Sequence, residues 1–350
     1  MKRNVLRRIV AAVLAAGLLC PLLSGCRKPF PTEASTTIFA MDTVMNLTVM
    51  DKDPDCPLQG LVDSRVGQIQ SFEALFSATK EDSNIRALNT ANGEPVRIRP
   101  DTLDILTKAL ELCEITGGAL DITAYPAVKA WGFTTGEYRV PDEAELEELT
   151  ERIDYTVLEL TENRFATLPA GMEVDLGAVA KGYVGDQLAE GLDERSALLD
   201  LGQSSIVAMG SKPNGVPWRI GIQNPEGEGY LGVLELVDMA MGTSGSYQRY
   251  FEQDGVRYCH IIDPRTAAPV QNELASVTVV APSCLLCDGL STALFVMGLE
   301  ESVYFWQIHQ DLEFDAIFIL DDGSIYITAG LEETFSLAEG YTDREVTVIR

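Results

Sequence analysis

Asp288 and Thr292 stand four residues apart in the run Cys287-Asp288-Gly289-Leu290-Ser291-Thr292. On a helix that spacing sets a carboxylate and a hydroxyl on one face, two hard oxygen ligands of the kind Mg²⁺ takes. The competing explanation is an acid favoured by the dipole in an early helical turn. The surrounding residues are apolar, however, and a carboxylate buried among them needs a partner. A second run, Val174-Asp175-Leu176-Gly177-Ala178-Val179-Ala180-Lys181-Gly182-Tyr183, reads as a strand end entering a glycine-started helix that continues through Leu188 and Leu192. Free N–H groups, the positive end of a dipole and Lys181 one turn in would make a phosphate seat; a capped helix with a surface lysine fits the same residues. The third stretch is Gly242-Thr243-Ser244-Gly245 followed, beyond a hairpin, by Tyr258-Cys259-His260-Ile261-Ile262-Asp263-Pro264-Arg265-Thr266. His260 ends a strand beside a turn bearing Asp and Arg, ingredients for proton transfer or phosphate contact. A structural histidine bonded to the turn backbone would read alike. The other histidine, His309, follows Phe305-Trp306-Gln307-Ile308 in a helix and reads as a surface or packing residue.

The elements that must position these residues are helices and strands interspersed without regular alternation, which predicts an α+β fold rather than a doubly wound sheet. Ile38 to Met50 reads as a strand. Leu58 to Leu75 has helical apolar spacing, and a helix after Pro100-Asp101 ends at Gly117-Gly118. Pro141-Asp142 opens an acidic surface helix. From Leu198 onward strands dominate: Val216 to Ile222, Leu231 to Leu236, a hairpin of Tyr247 to Glu252 and Val256 to Ile262 around Asp254-Gly255, and Ala275 to Ala281. Ser283 then caps a helix through Met297, and Phe314 to Leu320 pairs with Ser324 to Thr328 across Asp321-Asp322-Gly323.

Composition bounds the whole. A chain of 350 residues, 46% hydrophobic and 23% charged, can bury a sizeable core as one large domain or two smaller ones. Its formal charge is −27, and because the first 25 residues carry Lys2, Arg3, Arg7 and Arg8 and no acid, the remainder is more acidic still. Such a surface repels nucleic acid, so an anionic ligand must be held by local cations, N–H groups or a metal. The basic start, the apolar run Ile9 to Leu19 and Leu22-Leu23-Ser24-Gly25-Cys26 read as a lipoprotein signal over residues 1–25 with lipid on Cys26. A tether over 26–36 would follow, with the protein membrane-anchored on the extracytoplasmic side. Cys56, Cys113, Cys259, Cys284 and Cys287 remain, an odd number without a second Cys-x-x-Cys, so Cys284 and Cys287 read as small core residues rather than a zinc or redox pair.

The clusters occur in the order and near spacing of the ApbE family, which the sequence resembles over roughly residues 37 to 300. Met41-Asp42-Thr43 is similar to the family's Met-x-Thr strand. Asp82-Ser83 with Leu88-Asn89 resembles its Asp-Ser…Leu-Asn segment, and Gly118-Ala119-Leu120-Asp121-Ile122-Thr123 through Trp131-Gly132-Phe133 its Gly-x-Phe-Asp…Trp-Gly-Phe segment. Asp175 to Gly182 resembles Asp-Leu-Gly-Gly-x-Ala-Lys-Gly; Thr243-Ser244-Gly245, His260-Ile-Ile-Asp-Pro-Arg-Thr and Asp288-x-x-x-Thr292 complete the series.

The resemblance implies a single catalytic unit over 37–345, built of two packed subdomains with mainly antiparallel or mixed sheets flanked by helices. It implies an FAD:protein FMN transferase: Mg²⁺-dependent transfer of FMN from FAD to a Thr/Ser hydroxyl of an extracytoplasmic redox protein, releasing AMP. By the same resemblance the Ala178 carbonyl, Asp288 and Thr292 bind Mg²⁺. Met41, Ala119, Leu120, Asp121, Asp175, Lys181 and the loop at His260 line the FAD site. His260 is the candidate proton acceptor and Asp288 its competitor. An FAD pyrophosphatase giving FMN and AMP, or a non-catalytic FAD-binding lipoprotein, would use the same residues. The chain departs from the family at Ser77-Ala78-Thr79, where Ser-Thr-Tyr is usual, so an aromatic that would pack on the dinucleotide is missing and hydrolysis could compete with transfer. Gly202-Gln203-Ser204-Ser205 stands for a Gly-Gly-Asp pattern. Ala267 replaces a glycine, a change tolerable with negative φ.

Overall fold

The computed structural model describes residues 32–53, 55–192 and 195–350; the expected signal segment, Cys26 and most of the expected tether lie outside the described residues. Within them nine strands form one sheet: β1 (Glu33–Ala40), β2 (Thr43–Met50), β3 (Ser196–Asp200), β4 (Ser205–Met209), β5 (Met239–Gly245), β6 (Leu274–Ala281), β7 (Asp315–Leu320), β8 (Ile325–Thr328) and β9 (Val346–Ile349). Their order across the sheet is their order along the chain. Every neighbour is antiparallel except the β8–β9 pair at one edge.

Alternation along the strands divides two cores. In β4, Val207 faces an apolar cluster that includes helices α1 (Leu58–Phe76), α2 (Pro100–Ile115), α3 (Ala180–Ala189), α4 (Cys284–Met297) and α5 (Leu299–Ile308). Ile206 and Ala208 face the opposite cluster, closed by a three-stranded sheet of Trp218–Gln223, Tyr230–Leu236 and Phe335–Leu337. Covered on both faces, β6 is buried at every residue, which is why Leu274 to Ala281 reads as an almost unbroken apolar run. A smaller cluster packs Trp131 and Phe133 beneath the hairpin Tyr250–Gln253/Val256–Cys259. One apolar cluster, from Ala34 through Ile105 to Ile349, joins the sheet to the helices on that face.

Several expectations shift. The stretch Ile38 to Met50 is a hairpin, not one strand: Met41 and Asp42 take φ of 49° and 59° and turn the chain between β1 and β2. Strand β1 already begins at Glu33, so the tether read over 26–36 ends by Thr32. The helix expected to start at the glycine starts at Ala180, with Val179 as its cap, which places Lys181 second in the helix rather than one turn in. Ala267 has φ of +52°, against the expected negative value; its position is held by the Trp131 Nε1–H donating to its carbonyl at 2.9 Å. The helix at Ser283 and the Asp254-Gly255 hairpin match their readings, Ser283 Oγ accepting from Leu286 N–H and Asp254 taking φ of 53°.

Helix α4 lies tight on β5 at Gly242, where an added Cβ would come within 2.5 Å of the Cys287 carbonyl carbon. Gly242→Ala must push α4 off the sheet, and should lower stability to urea by about 1–3 kcal/mol. An unchanged urea midpoint would mean that the contact yields without cost.

Candidate active site

Helices α3 and α4 can touch because Gly182 has no side chain; a Cβ there would overlap the Cys284 carbonyl. The close approach lets each helix start receive a carboxylate from the other. Asp288 Oδ2 accepts from the Gly182 N–H at 2.7 Å. Asp186, on α3, accepts from the Ser283 hydroxyl and the Cys284 N–H, each at 2.7 Å, and from the Leu285 N–H at 3.1 Å. These donors are the ones a helix start leaves unpaired, and the dipole there favours an anion. The other oxygen of Asp288 accepts from the buried Ser205 hydroxyl at 2.7 Å. One turn on, Thr292 Oγ1 lies 3.1 Å from Ser244 Oγ, itself 3.0 Å from Ser291 Oγ. Asp288 and Thr292 therefore share a face, as their spacing predicts.

With the Gly182 N–H turned to Asp288, no donor among the described residues reaches the Ala178 carbonyl. That carbonyl precedes the cap Val179, within about one helical turn of the Asp288 contact. An open carbonyl, a carboxylate with remaining lone pairs and a hydroxyl are hard oxygen donors and fit Mg²⁺, which keeps several waters and needs few protein ligands. No cluster of three or more His, Cys, Asp or Glu side chains gathers among the described residues; the carbonyl, carboxylate and hydroxyl are the oxygen donors this site offers a cation.

Electrostatics focus on the same place. Burial pushes the Asp288 carboxyl up, and the Lys181 ammonium is the main influence opposing it. Burial also raises Asp175, against the Gly177 and Leu176 N–H groups and the charges of Arg249 and Lys181. The half-buried His260 ring is pushed down to about 4 by desolvation first and then by Arg249 and Lys181. Its Nδ1 sits 3.3 Å from the Arg249 carbonyl, which can only accept, so Nδ1 carries the hydrogen and Nε2 is the basic nitrogen. Arg249 is held by donating to the Phe133 carbonyl at 2.8 Å. Two cations thus stand at one locus of a strongly acidic protein, where an anion would be received.

The other expected residues divide. Asp175 N–H donates to the Ile122 carbonyl at 2.9 Å, which brings the 119–123 loop beside the cluster. Asp121 turns its carboxylate to that loop, accepting from Thr123 N–H (2.7 Å), Thr123 Oγ1–H (2.6 Å) and Tyr155 N–H (3.1 Å). Leu120 is buried against the α4 backbone at Gly289, so its side chain is core. Ala119 is half-buried at the head of the loop. Met41 lies in the β1–β2 turn, next to Thr43, whose side chain abuts Gly202 of the β3–β4 turn; that turn also bonds β5 through Thr243 N–H to the Ser204 carbonyl at 2.7 Å. Cys284 and Cys287 are buried free thiols whose pKa is raised well above the usual value by desolvation, consistent with a packing role. His309 stacks on Phe305 at the end of α5. Ser205, Asp186 and Arg249 were not singled out in the sequence as site residues. Asp186 alone had a signal, four residues after Gly182 on the same helical face.

The ApbE family model matches residues 41–318. An FAD:protein FMN transferase of Treponema pallidum is 33% identical, covering 90% of this chain and 92% of its own length. One from Vibrio cholerae is 35% identical over 83% of this chain and 88% of itself. Among solved structures, the ApbE protein of Thermotoga maritima superposes with a TM-score of 0.78 at 28% identity, covering 89% of this chain and 100% of that one. The flavin transferase ApbE from Vibrio cholerae gives 0.77 at 30%, covering 86% and 99%. The fold defines an α+β protein of flavin-transferase type, and this chain belongs to the ApbE family.

His260 should titrate near 4 by NMR of its ring protons, well below the usual 6.5. Since the folded state holds that proton less tightly than the unfolded chain, this residue's contribution to stability is full above the unfolded value and declines as pH falls toward 4. A midpoint at the ordinary value would show a solvated ring.

Proposed function

We infer that this chain is an enzyme, an FAD:protein FMN transferase, which moves FMN from FAD to a Thr or Ser hydroxyl of an acceptor protein and releases AMP. The observation that carries this reading is the Asp288 carboxylate, held between the Gly182 N–H and the Ser205 hydroxyl, with Thr292 one turn away and Lys181 acting on it. Mg²⁺, held by the Ala178 carbonyl, Asp288 and Thr292, would supply charge neutralisation on the FAD pyrophosphate. Lys181 and Arg249 attract and orient that pyrophosphate. The acceptor hydroxyl oxygen attacks the FMN phosphorus; the new P–O bond forms as the bond to the bridging oxygen breaks, and AMP leaves with that oxygen. His260 Nε2 takes the hydroxyl proton. A bound polyanion beside the ring offsets the cations that depress its basicity.

Met41, the 119–121 loop and Asp175 border the flavin nucleotide in this reading. The acceptor is an extracytoplasmic redox protein, and the enzyme is held at the membrane by lipid on Cys26 after removal of residues 1–25. Among the described residues no helix is long and apolar enough to cross a membrane. The support for anchoring is the basic start, apolar run and Leu22-Leu23-Ser24-Gly25-Cys26 pattern.

Incubating the full chain with FAD and Mg²⁺, with and without an acceptor bearing a target threonine, separates the outcomes. Transfer gives an FMN–acceptor adduct and AMP; hydrolysis, which Thr79 in place of an aromatic would favour, gives free FMN and AMP; a binder leaves FAD intact. Asp288→Ala should reduce AMP release by at least ~100-fold. Wild-type AMP release from that variant would refute the assignment. Cys26→Ser should abolish incorporation of labelled palmitate in cells and release the protein from the membrane fraction.

A further inference from the structure

Asp186 touches none of the reacting groups, yet its partly buried carboxylate receives three donors at the start of α4. We propose that Asp186 is a positioning residue for the cation seat: by gripping the first turn of α4 it fixes the rotation and axial setting at which Asp288 meets Gly182 and Thr292 meets Ser244. The proposal rests on the reading of that seat given above.

The two helices run antiparallel, since Gly182 meets Asp288 while Asp186 meets Cys284. Four residues separate the contact points on each helix, so each pair lies on one face. The sheet holds α4 from its other side at Gly242; toward α3, one fastening fixes a single point, whereas two define both slide and roll. Side chains do little of this work. At one fastening and between the two, α3 offers Gly182 and Gly185, and Cβ atoms there would collide with the Cys284 carbonyl or crowd its sulfur. Helices usually take their register from interlocking side chains, and here two of the α3 positions that meet α4, Gly182 and Gly185, carry none. The polar contacts at the two ends therefore set the register. The Asp288 fastening belongs to the site itself, which leaves Asp186 as the independent one. Thr292 shows what a roll would cost, since its hydroxyl faces Ser244 only at one rotation of α4.

The test uses the full chain carrying Asp186→Asn, and Ser283→Ala, which removes one of the three donors, should the first variant fold poorly. Asp142→Ala serves as a control: it removes the N-cap bond to Glu145 N–H on the surface helix Glu143–Thr150 and alters stability elsewhere. Mn²⁺ binding followed by electron paramagnetic resonance, without FAD, should weaken about tenfold in Asp186→Asn. Exchange of the Gly182 amide with deuterium should accelerate in the metal-free protein, and kcat at saturating Mn²⁺ should stay near wild type while the Mn²⁺ requirement rises. Asp142→Ala should change none of these. An Asp186→Asn protein that melts earlier but binds Mn²⁺ and protects Gly182 as wild type does would reduce Asp186 to a structural cap and overturn the proposal. A wild-type protein that binds no Mn²⁺ would instead overturn the cation seat, and this proposal with it.

Discussion

The antiparallel contact of α3 and α4, fastened at each end by a carboxylate on the other helix's first turn, is the constraint from which the site follows. Hydrogen bonds to charged groups contribute about 1.5–3 kcal/mol each, and more is at stake when one is broken, because a buried carboxylate is left without compensation. Both helix starts and both acids are satisfied together. Glycine at 182 and 242 is what lets α4 reach α3 on one side and the sheet on the other. The same closeness leaves the Ala178 carbonyl open, because the N–H that would have closed it is spent on Asp288. A site of this kind is made by backbone proximity as much as by side chains.

Charge distribution completes the picture. A molecule with a formal charge of −27 repels polyanions at long range. Screening confines that repulsion to roughly 8–10 Å at physiological salt, so local cations decide what happens close to them. Lys181 and Arg249 act there on Asp175, and Lys181 on Asp288 as well. The cations oppose the effect of burial on these acids and keep them ionisable. The buried Asp288 depends on that offset, since burial alone would disfavour its charge.

Much of this was legible in the residues. Period-2 and helical spacing gave α4 its full extent, and Asp-Gly turns marked two hairpins, because those signals are local. Asp288 and Thr292 were visible as a pair for the same reason. Ser205 and Asp186 were not, since their roles arise from contacts across 83 residues and across 97 to 99 residues. The break between β1 and β2 escaped notice because Met41 and Asp42 are not glycines, although both adopt positive φ. Ala267 escaped for the same cause: the Trp131 bond and its buried surroundings override a preference that sequence alone would respect. The start of α3 slipped by a few residues because Gly177 reads as a beginning but lies in the turn that precedes it.

The nine-stranded sheet is laid down in chain order, yet one step between neighbours is unlike the others. β2 and β3 are adjacent in space but separated by everything from Asp51 to Arg195, including α1, α2 and α3. Joining them closes a long loop, an entropic burden that short hairpins escape. During folding the inner margin of β2 must therefore stay bare until the intervening segment has condensed, and a bare strand margin is a template for mispairing with another chain. The acidic character of the molecule then acquires a second use, for like-charged nascent chains keep their distance during that interval.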